Sequence, residues 1–129
     1  MRTKQRNNLA ETACHERVAQ NTDVYAVKAR NYKGLRRGSP VFCRNNWHIH
    51  HKGGQILLCT AGRGYYQEWG KTAQEMKPGD VINIAPEVKH WHGAAPDSWF
   101  SHLAVEVPAE GSSNEWMEPV KEEEYSKLK

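Results

Sequence analysis

The stretch His48-Ile49-His50-His51-Lys52-Gly53-Gly54-Gln55 combines strand-like spacing with metal-binding side chains. In an extended strand, side chains two positions apart project from the same face, so His48 and His50 can reach one ion. Neutral imidazole is the commonest metal ligand, and the carboxamide oxygen of Gln55 can bind a borderline or hard divalent metal. His90 follows thirty-five residues after Gln55. The sequence therefore predicts a metal site formed by His48, His50, Gln55 and His90.

Downstream of this stretch, short apolar runs alternate with turn signals, which is typical of an antiparallel β-sandwich or barrel. We predict strands at residues 55–59, 65–69, 72–76, 81–84, 90–92 and 98–107. The first two flank a turn with two glycines, Gly62 and Gly64, and are predicted to form a hairpin. Near the end of the chain, Pro119 and a run of acidic residues predict a short helix over residues 118–125. The predicted fold class is all-β.

Two further histidines, His92 and His102, lie outside the predicted ligand set, and His92 is predicted to face the same cavity as the ligands. His92 shares strand parity with His90, and His102 lies on a mixed-polar strand face together with Glu106. A nearby divalent cation lowers the pKa of a histidine, so either residue can act as a neutral base at pH 7. Either can equally orient a metal ligand. We predict His92 and His102 as the catalytic acid–base candidates.

The amino-terminal part differs from the rest in charge and in pattern. Up to residue 44 there are ten Lys/Arg against three acidic residues, and from residue 45 there are eight against twelve, so the formal charges are +7 and −4. Only residues 24–27 resemble a strand, and residues 11–18 can form a short helix. We expect a basic segment of uncertain order over 1–41, a barrel over 42–107 and a C-terminal extension over 108–129. Aromatic residues and adjacent basic residues are few in the basic segment, which disfavours nucleic-acid binding.

Length and composition favour one domain. At 129 residues the chain can bury one core but is short for two. No stretch approaches the roughly 20 apolar residues of a membrane span, and no apolar run follows the basic amino terminus, so we expect neither a membrane segment nor a secretory signal. Cys14, Cys43 and Cys59 have no Cys-x-x-Cys spacing, which disfavours a disulfide framework and a thiolate zinc site. These features predict a cytoplasmic location, with Cys59 as an inert buried thiol.

The motifs resemble those of the cupin superfamily. Their pattern is His48-x-His50-x4-Gln55-x6-Gly62, then Pro78-Gly79-Asp80, then His90 in Lys89-His90-Trp91-His92-Gly93. The resemblance is to small single-domain members, and within them to a subgroup with Gln at the third ligand position. That subgroup includes manganese-dependent hydroxynitrile lyases and cupins associated with carboxymuconolactone decarboxylase-like proteins. The resemblance implies a double-stranded β-helix, or jelly-roll barrel, with the same four residues as ligands.

The chain departs from this pattern in several places. Phe42, Ala85, Glu87 and Ala94 stand where Gly, Pro, Gly and Asn are usual. His51 occupies the position of the second ligand in some subgroup members, but strand alternation favours His50. Upstream, the clear strands of resembling proteins are missing, so we expect a barrel that is incomplete on its N-terminal side. Open sheet edges favour pairing with another chain, and we therefore expect a homodimer.

All four implied ligands are neutral, so a bound ion keeps its formal +2 charge and suits Lewis-acid polarisation of a carbonyl, alkoxide or enolate. Manganese(II) or iron(II) is the predicted metal, with nickel, zinc and copper as alternatives. With His92 or His102 moving a proton, the predicted function is a lyase, isomerase or decarboxylase-type enzyme acting on a small oxygen-bearing molecule. Two alternatives stay open: a non-catalytic module that binds a small molecule or assists a partner, and an inactive truncated cupin.

Overall fold

The computed structural model describes residues 44–129 and the backbone of two upstream strands. The strands in these residues are β1 (His15–Asn21), β2 (Val24–Ala29), β3 (His48–His51), β4 (Gln55–Gly62), β5 (Gly64–Glu68), β6 (Gln74–Met76), β7 (Val81–Ile84), β8 (His90–Ala94), β9 (Phe100–Glu106) and β10 (Ser113–Trp116), and a short helix, α1, spans Glu122–Ser126. They form two antiparallel sheets of five strands each, in the orders β1-β2-β9-β4-β7 and β10-β3-β8-β5-β6. The all-β prediction is confirmed. In the part of the chain described above, no helix has the length and apolarity that crossing a membrane requires.

Side chains alternate between buried and partly exposed along β3 and most of β9, whereas all five residues of β8 are buried. On β3, His48 and His50 are buried, whereas Ile49 and His51 are partly exposed. On β9, Phe100, His102 and Ala104 are buried, as the predicted alternation requires. The inward rows of both sheets therefore carry histidines as well as apolar side chains.

The main apolar core lies between the two sheets. It consists of Leu57, Cys59, Tyr66, Met76, Ile84, Ala94, Phe100 and Ala104, which come from three strands of each sheet. Burial raises the pKa of the Cys59 thiol, so it stays protonated and unreactive at neutral pH, as predicted. The Phe100 ring stacks on His102, and the Tyr66 ring lies 5.7 Å from that of His90, so the histidines lie beside this core.

A second apolar cluster covers the outer face of the second sheet. Trp91 of β8 and Tyr125 of α1 are both fully buried, with ring centroids 5.9 Å apart. The Arg44 guanidinium lies 4.2 Å from the centroid of the Tyr125 ring and also bonds to the Val120 carbonyl. The predicted C-terminal helix is thus present, although it begins only at Glu122 because Lys121 is extended. Its packing covers the side of β8 that faces away from the metal ligands.

The predicted hairpin between residues 55–59 and 65–69 is wrong. β4 pairs with β7 and β9, whereas β5 pairs with β6 and β8 in the other sheet. Gly62 has a φ of 73°, and a Cβ there would overlap the carbonyl oxygen of Trp99. The chain therefore needs glycine at a corner where it crosses from one sheet to the other, and not at a tight hairpin turn.

The two upstream strands extend the first sheet on the side where the sequence predicted an incomplete wall. β2, which contains the predicted strand at 24–27, pairs with β9 along its whole length, and β1 pairs with β2. The possible helix over 11–18 is wrong from His15 onward, because that residue begins β1. The polar sequence of β1 has no apolar alternation and joins the sheet through backbone pairing. Cys14 and the rest of the basic segment lie outside the described residues, and so do Phe42 and Cys43.

Gly64 permits close contact between the sheets. A Cβ at this position would lie 2.6 Å from the Gly93 carbonyl oxygen and 2.7 Å from the Phe100 ring. We expect Gly64→Ala to lower the free energy of unfolding by about 1–3 kcal/mol, because the Phe100 ring and the Gly93 backbone must move away from the new methyl group. Denaturant titration measures this change. Lys77→Ala, at an exposed turn, should change it by less than about 0.5 kcal/mol; equal effects of the two substitutions would contradict this account.

Candidate metal centre

His48, His50 and His90 converge between the sheets, each placing a ring nitrogen within 4.8 Å of the other two. His48 and His50 project from one face of β3, and His90 of β8 lies directly opposite His48 in the strand pairing. The ring centroids of His48 and His90 are 4.2 Å apart, and all three side chains are buried. Three of the four ligands predicted from the sequence are therefore brought together.

Each of these histidines is oriented through its Nδ1 atom. Nδ1 of His48 lies 2.8 Å from the Asn46 carbonyl oxygen, and Nδ1 of His90 lies 2.8 Å from the Val88 carbonyl oxygen. Nδ1 of His50 lies 2.7 Å from the side-chain oxygen of Asn114 on β10. Since a carbonyl oxygen only accepts, Nδ1 must carry the hydrogen in all three rings. Their Nε2 atoms therefore keep a lone pair for a metal.

Two of the three buried rings, those of His48 and His90, have the neutral state that metal binding needs. Burial, together with the neighbouring histidines, lowers the pKa of His48 to about 3. Burial likewise lowers the pKa of His90 to about 4. Burial lowers the pKa of His50 as well, but hydrogen bonding to Glu106 and its charge, aided by Asn114 and Gln55, outweigh this and leave the pKa raised. His48 and His90 are thus neutral at pH 7.

Gln55, the fourth predicted ligand, lies beside the three histidines. It is buried at the start of β4, and its Nε2 donates to Oε1 of Glu106 across 2.7 Å. Interaction with the Gln55 side chain is also one of the effects that raise the pKa of the His50 ring. Because the amide nitrogen is directed at Glu106, the carbonyl oxygen is the end directed towards the histidines.

His92 is buried and held by Asn45. The Asn45 side-chain oxygen accepts the backbone N–H of His92 at 2.9 Å, so its amide nitrogen is the atom that approaches Nε2 of the His92 ring at 3.0 Å. An amide nitrogen can only donate, and Nε2 is therefore the acceptor while Nδ1 carries the hydrogen. The centroid of the His92 ring is 5.7 Å from that of His48.

His102, the second acid–base candidate, lies next to His92. The two ring centroids are 5.0 Å apart in an edge-to-face arrangement. On its other side the ring stacks on Phe100 at 4.7 Å, and the residue is only 1% exposed. The histidines thus form a continuous buried group that runs from the predicted ligands through His92 to the apolar core.

His51 projects away from the cluster to the other side of β3. Its Nδ1 lies 2.5 Å from a Glu87 carboxylate oxygen, and its Nε2 lies 2.6 Å from a carboxylate oxygen of Glu115. These carboxylates raise the pKa of His51, which favours its charged form. With both ring nitrogens bonded to carboxylates outside the cluster, the geometry favours His50 over His51 as a ligand.

Four residues near the histidines were not assigned to the site from the sequence: Asn45, Glu106, Asn114 and Trp116. Glu106 shares a strand face with His102, and that parity is the signal that points to it. Trp116 lies with its ring 4.7 Å from that of His48, although the residue is 47% exposed. Asn114 and Trp116 belong to β10, an exposed strand without apolar alternation that was not predicted. Apolar periodicity does not mark either residue.

The three histidines suit a divalent metal. Nε2 of His90 is buried and has no hydrogen-bond partner among residues 44–129, so a ligand would relieve the cost of burying it. Three imidazoles with an amide oxygen form an N/O set suited to first-row transition metals, and no thiolate lies in the cluster. Each ligand ring has an oriented Nδ1, which is usual for metal-binding histidines. The residues present therefore fit a metal ion.

Known proteins resemble this chain in sequence and in fold, although no protein-family model matches it. An (R)-mandelonitrile lyase from Granulicella tundricola is 45% identical over 82 residues, which are 64% of this chain and 62% of that protein. A cupin-like protein from Thermotoga maritima is 42% identical, with a TM-score of 0.66 over 81% of this chain and 71% of its own. A Klebsiella pneumoniae protein with a double-stranded β-helix domain is similar in fold, with 17% identity and a TM-score of 0.57 over 89% and 99% of the two chains. The chain thus spans less than two thirds of the mandelonitrile lyase.

Proposed function

The chain belongs to the cupin superfamily, and we propose that it is a metal-dependent lyase acting on a small hydroxy or carbonyl compound. The convergence of three buried histidine nitrogens within 4.8 Å carries the proposal. The similarity to a mandelonitrile lyase supports a reaction that cleaves a bond next to a hydroxyl-bearing carbon. We propose His48, His50, Gln55 and His90 as the ligands.

A divalent ion held by these residues supplies a positive charge that polarises an oxygen atom of the substrate. The chain itself orients the ligands through their Nδ1 hydrogen bonds and excludes water by burying all three rings. His92 can donate a hydrogen bond from Nδ1, because Asn45 already donates to its Nε2. We therefore propose that His92 orients the substrate and that His102, beside it, moves the proton.

Manganese(II) or iron(II) is the metal we propose, since three imidazoles and an amide oxygen suit a borderline or hard ion. Loading the metal-free protein separately with manganese, iron, nickel, zinc and copper, and comparing turnover, tests the choice. Higher turnover with zinc or copper than with manganese or iron would contradict it.

Substitution of His102 or His92 by alanine should lower turnover by about 10²–10⁴-fold while metal content stays at the wild-type level. The reason is that neither side chain is a proposed ligand, whereas His92 lies next to the ligand cluster and His102 lies next to His92. The measurement is benzaldehyde formation from (R)-mandelonitrile by manganese-loaded protein. His51→Ala is the matched control and should leave turnover unchanged. Absence of cleavage by the loaded wild-type protein would contradict the lyase assignment, and unchanged turnover in His102→Ala would contradict its role.

The strand β10 lies at the edge of the second sheet, and its four residues are exposed. An exposed edge has backbone groups that another strand can pair with, which supports the homodimer predicted from the sequence. The homodimer and the cytoplasmic location stay predictions. Sedimentation analysis measures the oligomeric state.

A further inference from the structure

Glu106, the last residue of β9, contacts two of the four proposed ligands with one carboxylate group. Its Oε1 accepts a hydrogen bond from Nε2 of Gln55 at 2.7 Å, and its Oε2 lies 3.3 Å from Nδ1 of His50. Gln55 and Glu106 are also direct partners in the pairing of β4 with β9. The backbone pairing therefore fixes the distance between the Glu106 carboxylate and the Gln55 side chain.

The contact with Gln55 determines which end of the amide is turned towards the histidines. A side-chain amide has a carbonyl oxygen, which can bind a metal, and an NH₂ group, which cannot. The Glu106 carboxylate only accepts hydrogen bonds, so it retains the NH₂ end and leaves the oxygen directed at the His50 ring. Without this acceptor, the amide can rotate and present its donor end to the ion.

The contact with His50 reinforces the tautomer that metal binding needs. Nδ1 of His50 lies between the Asn114 oxygen at 2.7 Å and the Glu106 oxygen at 3.3 Å. Two acceptors around one N–H keep the hydrogen on Nδ1 and the lone pair on Nε2. A carboxylate in this position also makes the imidazole a more basic ligand.

We propose that Glu106 is a positioning residue for the metal centre. It keeps the carbonyl oxygen of Gln55 and the Nε2 lone pair of His50 directed at the ion. The inference rests on the proposed function, because it assigns a role at the same site. Outer groups that orient metal ligands contribute about 10–100-fold to metal affinity. Glu87 provides a matched control, since its carboxylate contacts His51, which points away from the cluster.

The test exchanges the amide and the carboxylate between positions 55 and 106. In Glu106→Gln, the new amide can accept from Gln55 only by turning its own NH₂ towards the N–H of His50, so one of the two contacts is lost. In the double variant Gln55→Glu with Glu106→Gln, the amide donates to the carboxylate at 55 and its oxygen faces His50. Both contacts are restored with the partners exchanged.

Manganese(II) affinity is measured by competition with a chelator for wild type, Glu106→Gln, Gln55→Glu, the double variant and Glu87→Gln, alongside thermal melting and the visible spectrum of the cobalt(II)-loaded proteins. We expect Glu106→Gln to bind about 10–100-fold more weakly than wild type, with an altered cobalt spectrum, and Glu87→Gln to bind within about threefold of wild type. Because Gln55→Glu changes a proposed ligand, the double variant is compared with Gln55→Glu alone, and we expect it to bind no more weakly than that variant. Wild-type affinity in Glu106→Gln, or the same weakening by Glu106→Gln in both backgrounds, overturns the proposal. If Glu106→Gln does not fold, the comparison of the double variant with Gln55→Glu decides. A wild type that binds no manganese overturns the proposed function instead.

Discussion

His50→Ala is expected to lose metal binding, whereas His51→Ala, one residue further along the same strand, is expected to retain it. His50 is buried among the other two histidines, and its Nδ1 is held by Asn114, so Nε2 is the atom that can bind an ion. His51 bonds to two carboxylates on the opposite side of β3. The two substitutions remove the same side chain from adjacent positions, and they differ only in the face from which it projects.

Removal of an outer group that orients a ligand weakens metal affinity by about 10–100-fold. Removal of a ligand itself should weaken it more, so we expect His50→Ala to lower manganese affinity by at least about 100-fold. Titration calorimetry on metal-free protein measures both variants. Thermal melting before metal addition checks that each one is folded. Strong binding by His50→Ala together with weak binding by His51→Ala would contradict the ligand assignment and would instead favour His51.

Phe100→Ala is expected to give the largest loss of stability, about 3–5 kcal/mol in the free energy of unfolding. The Phe100 side chain is fully buried between the sheets, and its ring contacts Gly64 of the opposite sheet and stacks on His102. Its removal leaves a cavity that the paired backbones of β4 and β9 cannot close, because their hydrogen bonds hold them in register.

The matched control is Leu103→Ala on the same strand, where the side chain lies on the partly exposed face and the expected loss is about 1 kcal/mol. Urea titration at equal metal content measures both variants. Equal losses in the two variants would show that the inward face of β9 does not form the core described above.

The sequence could predict which residues of a strand share a face, because this depends only on extended backbone geometry. His48 and His50 share a face for this reason, and so do Phe100, His102 and Ala104. The strand Val81–Ile84 was predicted with its observed bounds, since an apolar run between turn residues defines both ends. These are local properties of the chain.

The connections between sheets could not be read from such local patterns. Two strands joined by a short glycine-containing segment suggest a hairpin, yet Gly62 turns the chain into the other sheet because its backbone must pass the Trp99 carbonyl. β1 and β10 are polar strands whose backbone pairing with β2 and β3 depends on the rest of the barrel. Apolar periodicity has no information about strands of this kind.

The supporting residues of the site were missed for the same reason. Asn114 reaches His50 from sixty-four residues further along the chain, and Asn45 reaches His92 across forty-seven. A lone asparagine in a loop or on an exposed strand has no distinctive sequence context. Glu106 is the supporting residue that could have been predicted from the sequence, because it shares a strand face with His102. The clustering of His48, His50 and His90 could be predicted because metal binding requires rare side chains at fixed spacing.

We propose that His48, His50 and His90 hold one divalent ion between the sheets. The most direct measurement is elemental analysis of the purified chain after manganese loading and removal of free metal, with the His48→Ala variant treated in parallel. We predict about one equivalent of metal per chain in the wild type and a small fraction of that in the variant. Equal and low metal content in the two proteins would contradict the claim.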